Sequence, residues 1–128
     1  MKNVEPNFEY DIVSLVKKDS LDMTEEDRGK IFDLCRDSDC DRIIITHGTD
    51  TMLVTAKKLS GIKNKVIILT GSLLPERFID SDASFNIGVA IGAINYLKEG
   101  VYIAMQGRVY EWDKCKKAPQ SGRFADSQ

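Results

Sequence analysis

Three short apolar runs rich in β-branched residues recur along the chain, each separated from the next by enough residues for one helix. They are Ile43–Ile45 within R-I-I-I-T, then K-V-I-I-L from Lys65 to Leu69, then V-Y-I-A-M from Val101 to Met105. Unbroken apolar runs of this length are expected of strands buried on both faces of a parallel sheet. Helical spacing fills the intervals. Thr24 reads as an N-cap before Glu25, Glu26 and Asp27, acidic residues suited to the positive end of a helix dipole. Ile31, Phe32, Leu34 and Cys35 carry that helix to about Arg36. A second helix is predicted from about Thr51 to Ser60, stopped by Gly61. A third runs from Asp82 to Leu97, closed by Glu99-Gly100, with Gly88, Gly92 and Ala93 expected to let it approach the sheet closely.

Upstream, Asp11 to Val16 alternates like a strand, and Arg108 to Tyr110 reads as a short last one. Beyond Glu111 the chain turns polar, and an irregular tail is expected. The order β-α-β-α-β-α-β predicts an α/β fold: a three-layer α/β/α arrangement with a mostly parallel sheet and right-handed crossovers. The order of strands within the sheet does not follow from pattern. A chain of 128 residues without repeats or a low-complexity linker is read as one domain, residues 1–128.

Composition narrows the function classes. The formal net charge is -2, and Lys and Arg are dispersed without a basic stripe, so nucleic acid is not an expected partner. No apolar run approaches the ~20 residues a membrane-spanning helix needs, and Met1 to Tyr10 carries no apolar signal segment. Three cysteines, Cys35, Cys40 and Cys115, lack paired-ligand spacing, and one histidine, His47, cannot complete a standard zinc site with them. Free thiols in a reducing cytoplasm are expected, with no metal or organic cofactor.

The chemistry concentrates where the Ile43–Ile45 run ends. His47-Gly48-Thr49-Asp50-Thr51 sits between a strand and a helix, at the carboxyl edge of the sheet, where open α/β folds bind ligands. A hydroxyl beside a carboxylate there suits a polar, charged small molecule. The same three residues, Thr49 to Thr51, are also good N-cap types, and a cap alone would account for them. His47 is expected to be a structural hydrogen-bonder at the strand end. Thr70-Gly71-Ser72 ends the next strand and is placed in the same pocket, although turn preference alone explains these residue types.

The string H-G-T-D-T-M followed by Thr55-Ala56 resembles the second signature of the bacterial-type L-asparaginases and related amidohydrolases. The resemblance extends further. V-I-I-L-T-G-S-L-L-P from Val66 to Pro75, and Ser81-Asp82-Ala83 with Asn86, look like the family segment that follows the signature. Asp19 to Met23 resembles its substrate-binding loop, and Gly107 to Phe124 the region of its catalytic lysine. The closest likeness is to short forms with only the N-terminal domain. The resemblance implies hydrolysis of the side-chain amide of L-asparagine, or of L-glutamine, by a homo-oligomer. Thr49, Asp50 and Lys117 would be catalytic. Ser20, Asp50, Gly48 and Thr70 would bind substrate, Asp50 through the ammonium group and Ser20 through the α-carboxylate. Lys116 stands next to Lys117 in a basic cluster and is a substitute for it. Leu21 departs from the pattern, where many members have a polar amide. Arg123 and Phe124 match the end of the resembling region and are expected at a subunit contact.

One family element is missing. Members open with a strand and a Thr-Gly-Gly-Thr turn that supplies the nucleophilic threonine, and Met1 to Tyr10 contains no threonine. A start upstream of Met1 is the expectation. A relative that binds without turnover, or a partner subunit supplying the strand, are the alternatives.

Overall fold

The computed structural model describes residues 20–72, 82–119 and 121–127. The predicted strand Asp11–Val16 lies outside them. Chain order among the described residues is a 3-10 turn Ser20–Asp22, α1 Glu25–Asp37, β1 Arg42–Thr46, α2 Met52–Leu59, β2 Val66–Thr70, and α3 Ala83–Ala93. A 3-10 turn Ile94–Tyr96, β3 Gly100–Met105, β4 Arg108–Glu111, a 3-10 turn Trp112–Lys114, β5 Cys115–Lys117 and β6 Phe124–Asp126 follow.

Four strands form one sheet in the order β1-β2-β3-β4. The first three are parallel, with Thr46 opposite Thr70 and Thr70 opposite Ala104. β4 returns antiparallel through Gln106-Gly107, both at positive φ (56° and 79°), the geometry of a two-residue type I′ hairpin. Alternate residues of each strand feed two cores, because strand side chains point to opposite faces in turn. Ile67, Leu69, Val101, Ile103 and Met105 pack with Ile31 of α1 and with Met52, Ala56 and Leu59 of α2. Val66, Ile68 and Ala104 pack on the other face with Ala90 and Ile94. The α/β fold with helices on both faces of a mainly parallel sheet follows the sequence pattern.

The helix caps obey local chemistry. Thr24 closes a capping box: its hydroxyl accepts from the Asp27 N–H at 3.1 Å, and the Asp27 carboxylate accepts from the Thr24 N–H at 3.0 Å. Lys65, 9% exposed, ends α1 from a distance by donating its ammonium to the carbonyls of Ser38 and Cys40 at 2.5 and 2.9 Å.

Three expectations need correction. The third helix stops at Ala93 and tightens into the 3-10 turn Ile94–Tyr96 before reaching Leu97. Its inward face is Asn86, Ala90 and Ile94, spaced four apart, so Gly88 and Gly92 point outward, with no atom within 4 Å of where a Cβ would stand. Smallness there does not serve approach to the sheet. Beyond Glu111 the chain is ordered into β5 and β6, which pair antiparallel in the register Cys115–Asp126, Lys116–Ala125 and Lys117–Phe124. Strands of three residues are too short to show periodicity. Phe124, 5% exposed, belongs to the main core beside Tyr110 and Cys115.

Candidate active site

Thr49 and Asp50 occupy the turn between β1 and α2. The N-cap position belongs to Thr51, which makes no side-chain capping bond. Capping therefore does not explain the Thr-Asp pair. Both side chains turn instead to a residue far along the chain. Lys117 Nζ donates to Thr49 Oγ1 at 2.9 Å and to Asp50 Oδ1 at 2.8 Å. The lysine side chain is 21% exposed and the Asp50 side chain 52%. The cluster is thus anchored on one side and open to solvent on the other, as an approaching polar solute requires.

The strand pairing decides which lysine reaches the turn. Along β5 side chains alternate, so Cys115 and Lys117 share a face while Lys116 takes the other and is exposed. Cys115 is buried in the core beside Phe124, which directs its face-mate Lys117 toward the carboxyl end of β1. The register of that hairpin is tied to the main sheet by Gln106. Its side-chain carbonyl accepts from the Phe124 N–H at 3.1 Å, and its own N–H donates to Asn86 Oδ1 at 3.0 Å. Gln106 Nε2 is buried with no hydrogen-bond partner among the described residues, a polar cost carried at this turn. Asn86, 1% exposed, also donates to the Gly71 carbonyl at 2.8 Å, so one side chain joins the tips of β2 and β3.

The remaining expected residues fall as follows. Gly48 is exposed at the turn, and its carbonyl meets His47 Nδ1 at 2.6 Å. Thr70 is fully buried. Its hydroxyl donates to the Ala104 carbonyl at 2.7 Å and its carbonyl accepts from the His47 N–H at 2.9 Å, so it supports the turn from beneath. Ser20 begins the turn Ser20–Asp22, and its side chain lies outside the described part. His47 is a structural hydrogen-bonder, 8% exposed. Burial holds its basicity below the ordinary imidazole value, opposed by its bond to Gly48 and reinforced by the nearby Arg28 charge.

Burial pushes the thiols of Cys35 and Cys115 up to about 11, so both stay protonated near neutrality, and all three cysteines are free. Among the described residues no group of three or more His, Cys, Asp or Glu gathers as metal ligands. No described helix is long and apolar enough to cross a membrane. A shallow groove lies elsewhere, lined by Tyr96, Tyr102, Lys98 and Lys114. The Lys114–Glu111 pair is spent on its rim, and the groove includes none of the Thr49, Asp50 or Lys117 side chains.

Arg28, Thr55, Asn86 and Gln106 shape this region without having been assigned a role from sequence. Arg28 had a legible signal: with Ile31 and Cys35 it occupies the apolar stripe of α1, and a cation in such a stripe needs a partner.

Comparison with known proteins adds independent information. Residues 1–125 match the family described as "Asparaginase, N-terminal". L-asparaginase 1 of Escherichia coli (strain K12) is 36% identical over 110 residues, 81% of this chain and 32% of that protein. A glutamyl-tRNA(Gln) amidotransferase component of Methanococcus maripaludis is 38% identical over 92 residues, 65% of this chain and 22% of that protein. The solved L-asparaginase of Thermococcus kodakarensis superposes with a TM-score of 0.85 at 27% identity, covering 95% of this chain and 39% of that one. The chain thus spans a third or less of these curated relatives.

Proposed function

The chain belongs to the asparaginase family, and from that premise we propose that it acts on a small amino acid carrying a side-chain amide, L-asparagine first and L-glutamine second. The observation that carries this reading is the convergence of Lys117 on both Thr49 and Asp50 at 2.9 and 2.8 Å, across 68 and 67 residues of sequence.

Asp50 holds the substrate ammonium by charge-assisted hydrogen bonds, for which its half-exposed carboxylate is suited. Lys117 donates to Thr49 Oγ1, so the hydroxyl proton of Thr49 is left to point outward at an attacking oxygen or a developing charge. In the net reaction the attacking oxygen adds to the amide carbon, the C–N bond breaks, and ammonia leaves with a proton. One water is consumed per amide. Gly48 lines the entry to the site, Thr70 holds its floor, and Ser20 is assigned to the α-carboxylate. Attack by a threonine from a Thr-Gly-Gly-Thr segment requires residues beyond those described.

A narrower reading needs only the binding half: an α/β module that holds an acidic amino acid such as L-aspartate. The match to a glutamyl-tRNA(Gln) amidotransferase component supports keeping it, since similar sequence recurs in a protein other than a free-standing asparaginase. Two measurements separate the readings. Ammonia release is assayed on this chain and on one extended at its N-terminus by a Thr-Gly-Gly-Thr segment; silence from both ends the hydrolase reading. Calorimetry with L-aspartate on wild type and Asp50→Ala tests binding, and equal heats remove Asp50 from the site. We place the protein in the cytoplasm, consistent with its free thiols, and as a homo-oligomer, consistent with the exposed Phe85 and Tyr96.

A further inference from the structure

His47 lies immediately before the Thr49–Asp50 turn, and its ring is held at both nitrogens. Nδ1 is 2.6 Å from the Gly48 carbonyl, and Nε2 is 2.8 Å from Thr55 Oγ1. A carbonyl oxygen can only accept, so Nδ1 carries the proton. In a neutral ring Nε2 must then accept, and the Thr55 hydroxyl must donate to it. The Thr55 oxygen keeps its own accepting capacity for the Nε–H of Arg28, 3.0 Å away.

The result is a one-way chain: Arg28 Nε–H to Thr55, Thr55 O–H to His47 Nε2, His47 Nδ1–H to the Gly48 carbonyl. A charged ring would break it. Thr55 Oγ1 would then face two cationic donors with its own proton displaced. Its three side chains are buried: Thr55 is 0% exposed, Arg28 6% and His47 8%. The guanidinium itself is balanced by Glu25 at 2.9 Å.

The network ends on one peptide group. The Gly48 carbonyl belongs to the Gly48–Thr49 peptide, whose orientation sets where the Thr49 side chain points. The backbone of His47 is already held, since its N–H donates to the Thr70 carbonyl and its own carbonyl occupies the space where a Cβ on Gly71 would stand. We propose that Arg28 and Thr55 are positioning residues. Through a single His47 tautomer they fix the Gly48–Thr49 peptide, and so the alignment of Thr49 and Asp50 against Lys117 and the amino-acid ligand. The ligand part rests on the function proposed above; the alignment of the turn rests on geometry alone.

The protein has one histidine, so an imidazole nitrogen spectrum reports this ring without overlap. Full-length wild type should show the Nδ1–H tautomer. Thr55→Val keeps the shape and removes the donor. It should move the Nε2 resonance, which loses its hydrogen bond, shift the backbone amides of Gly48, Thr49 and Asp50, and weaken L-aspartate on the order of ten-fold, the scale of one lost hydrogen bond. Thr55→Ser should restore all three, which a general packing defect would not allow. Arg28→Lys, which keeps the charge but loses the Nε–H, serves as the second variant if Thr55→Val does not fold. An unmoved Nε2 resonance in these variants overturns the proposal, and so does a changed ring with unmoved Thr49 and Asp50 amides. If wild type binds no L-aspartate, the function proposed above fails, while the ring and amide spectra still decide this one.

Discussion

Replacing Gly71 by alanine tests how tightly the turn after β1 is packed against the end of β2. Two effects oppose each other. Gly71 has no left-handed φ, so alanine can adopt its backbone, and the less flexible unfolded chain should favour the variant by about 0.4–1 kcal/mol. Against this, the added Cβ would stand 2.2 Å from the His47 carbonyl oxygen and 3.1 Å from Met52 Cε. The methionine end can swing away. The carbonyl is backbone, tied by the His47 N–H to Thr70 and followed at once by Gly48, so it cannot move without moving the turn. Overpacking of this kind costs about 1–3 kcal/mol, and a rigid neighbour puts the cost in the upper part of that range. The net expectation is a loss of about 1–2 kcal/mol, equivalent to a fall of about 1 M in the urea midpoint for a domain of this size. Urea denaturation followed by circular dichroism measures it, with Gly61→Ala as control, because a Cβ there meets nothing nearer than 3.9 Å. A Gly71→Ala midpoint equal to or above wild type would refute the argument that this close approach holds the site turn in place.

Four further outcomes are expected. Gly29→Ala, in the interior of α1 with no atom within 4 Å of its Cβ, should stabilise by about 0.5–1 kcal/mol through helix propensity, read as a raised melting temperature. In a double-mutant cycle, Asp50→Asn with Lys117→Met should show a coupling of about 0.5–1 kcal/mol, kept small by the 52% exposure of Asp50; zero coupling would mean the pair does not form in solution. Against an aromatic disulfide reagent at neutral pH, exposed Cys40 should react quickly, while Cys35 and Cys115, pushed up to about 11 by burial, should react only on unfolding; three equal rates would contradict their burial. His47 is less basic folded than unfolded, from burial first and the Arg28 charge besides, so the unfolded chain binds the extra proton as acid is added. Its contribution is fully present above about 6.5 and is lost as pH falls toward the lower folded value, by at most about 1.4 kcal/mol per unit. His47→Gln should flatten that part of the stability curve, and identical curves for the two proteins would count against a neutral buried ring.

Much of this was legible in the chain. The runs Ile43–Ile45, Val66–Leu69 and Val101–Met105 announced strands because continuous apolarity survives only where both faces are covered. The Thr24 capping box and the acidic first turn are local chemistry, and they appear where residue types alone put them. The motif around Thr49 and Asp50 marked the sheet edge that carries the site. Less visible was anything depending on contacts between distant segments. Gly88 and Gly92 are small on either face of a helix, and only packing against the sheet shows that Asn86 and Ala90 turn inward. β5 and β6 are three residues each, below the length at which a period can be read, and they exist because they pair with each other and bury Cys115 and Phe124.

Residue order thus determined the layers of this protein, since burial periodicity and caps are properties of neighbours in sequence. The resemblance named Lys117 and left Lys116 as its substitute; the tertiary structure puts Lys117 against Thr49, because side chains alternate along a strand and the pairing register settles which of two adjacent lysines faces that turn. It alone brought Arg28 through Thr55 to His47, because a hydrogen bond depends on positions in space to within a few tenths of an ångström, and a separation of 27 positions in sequence leaves that distance unspecified.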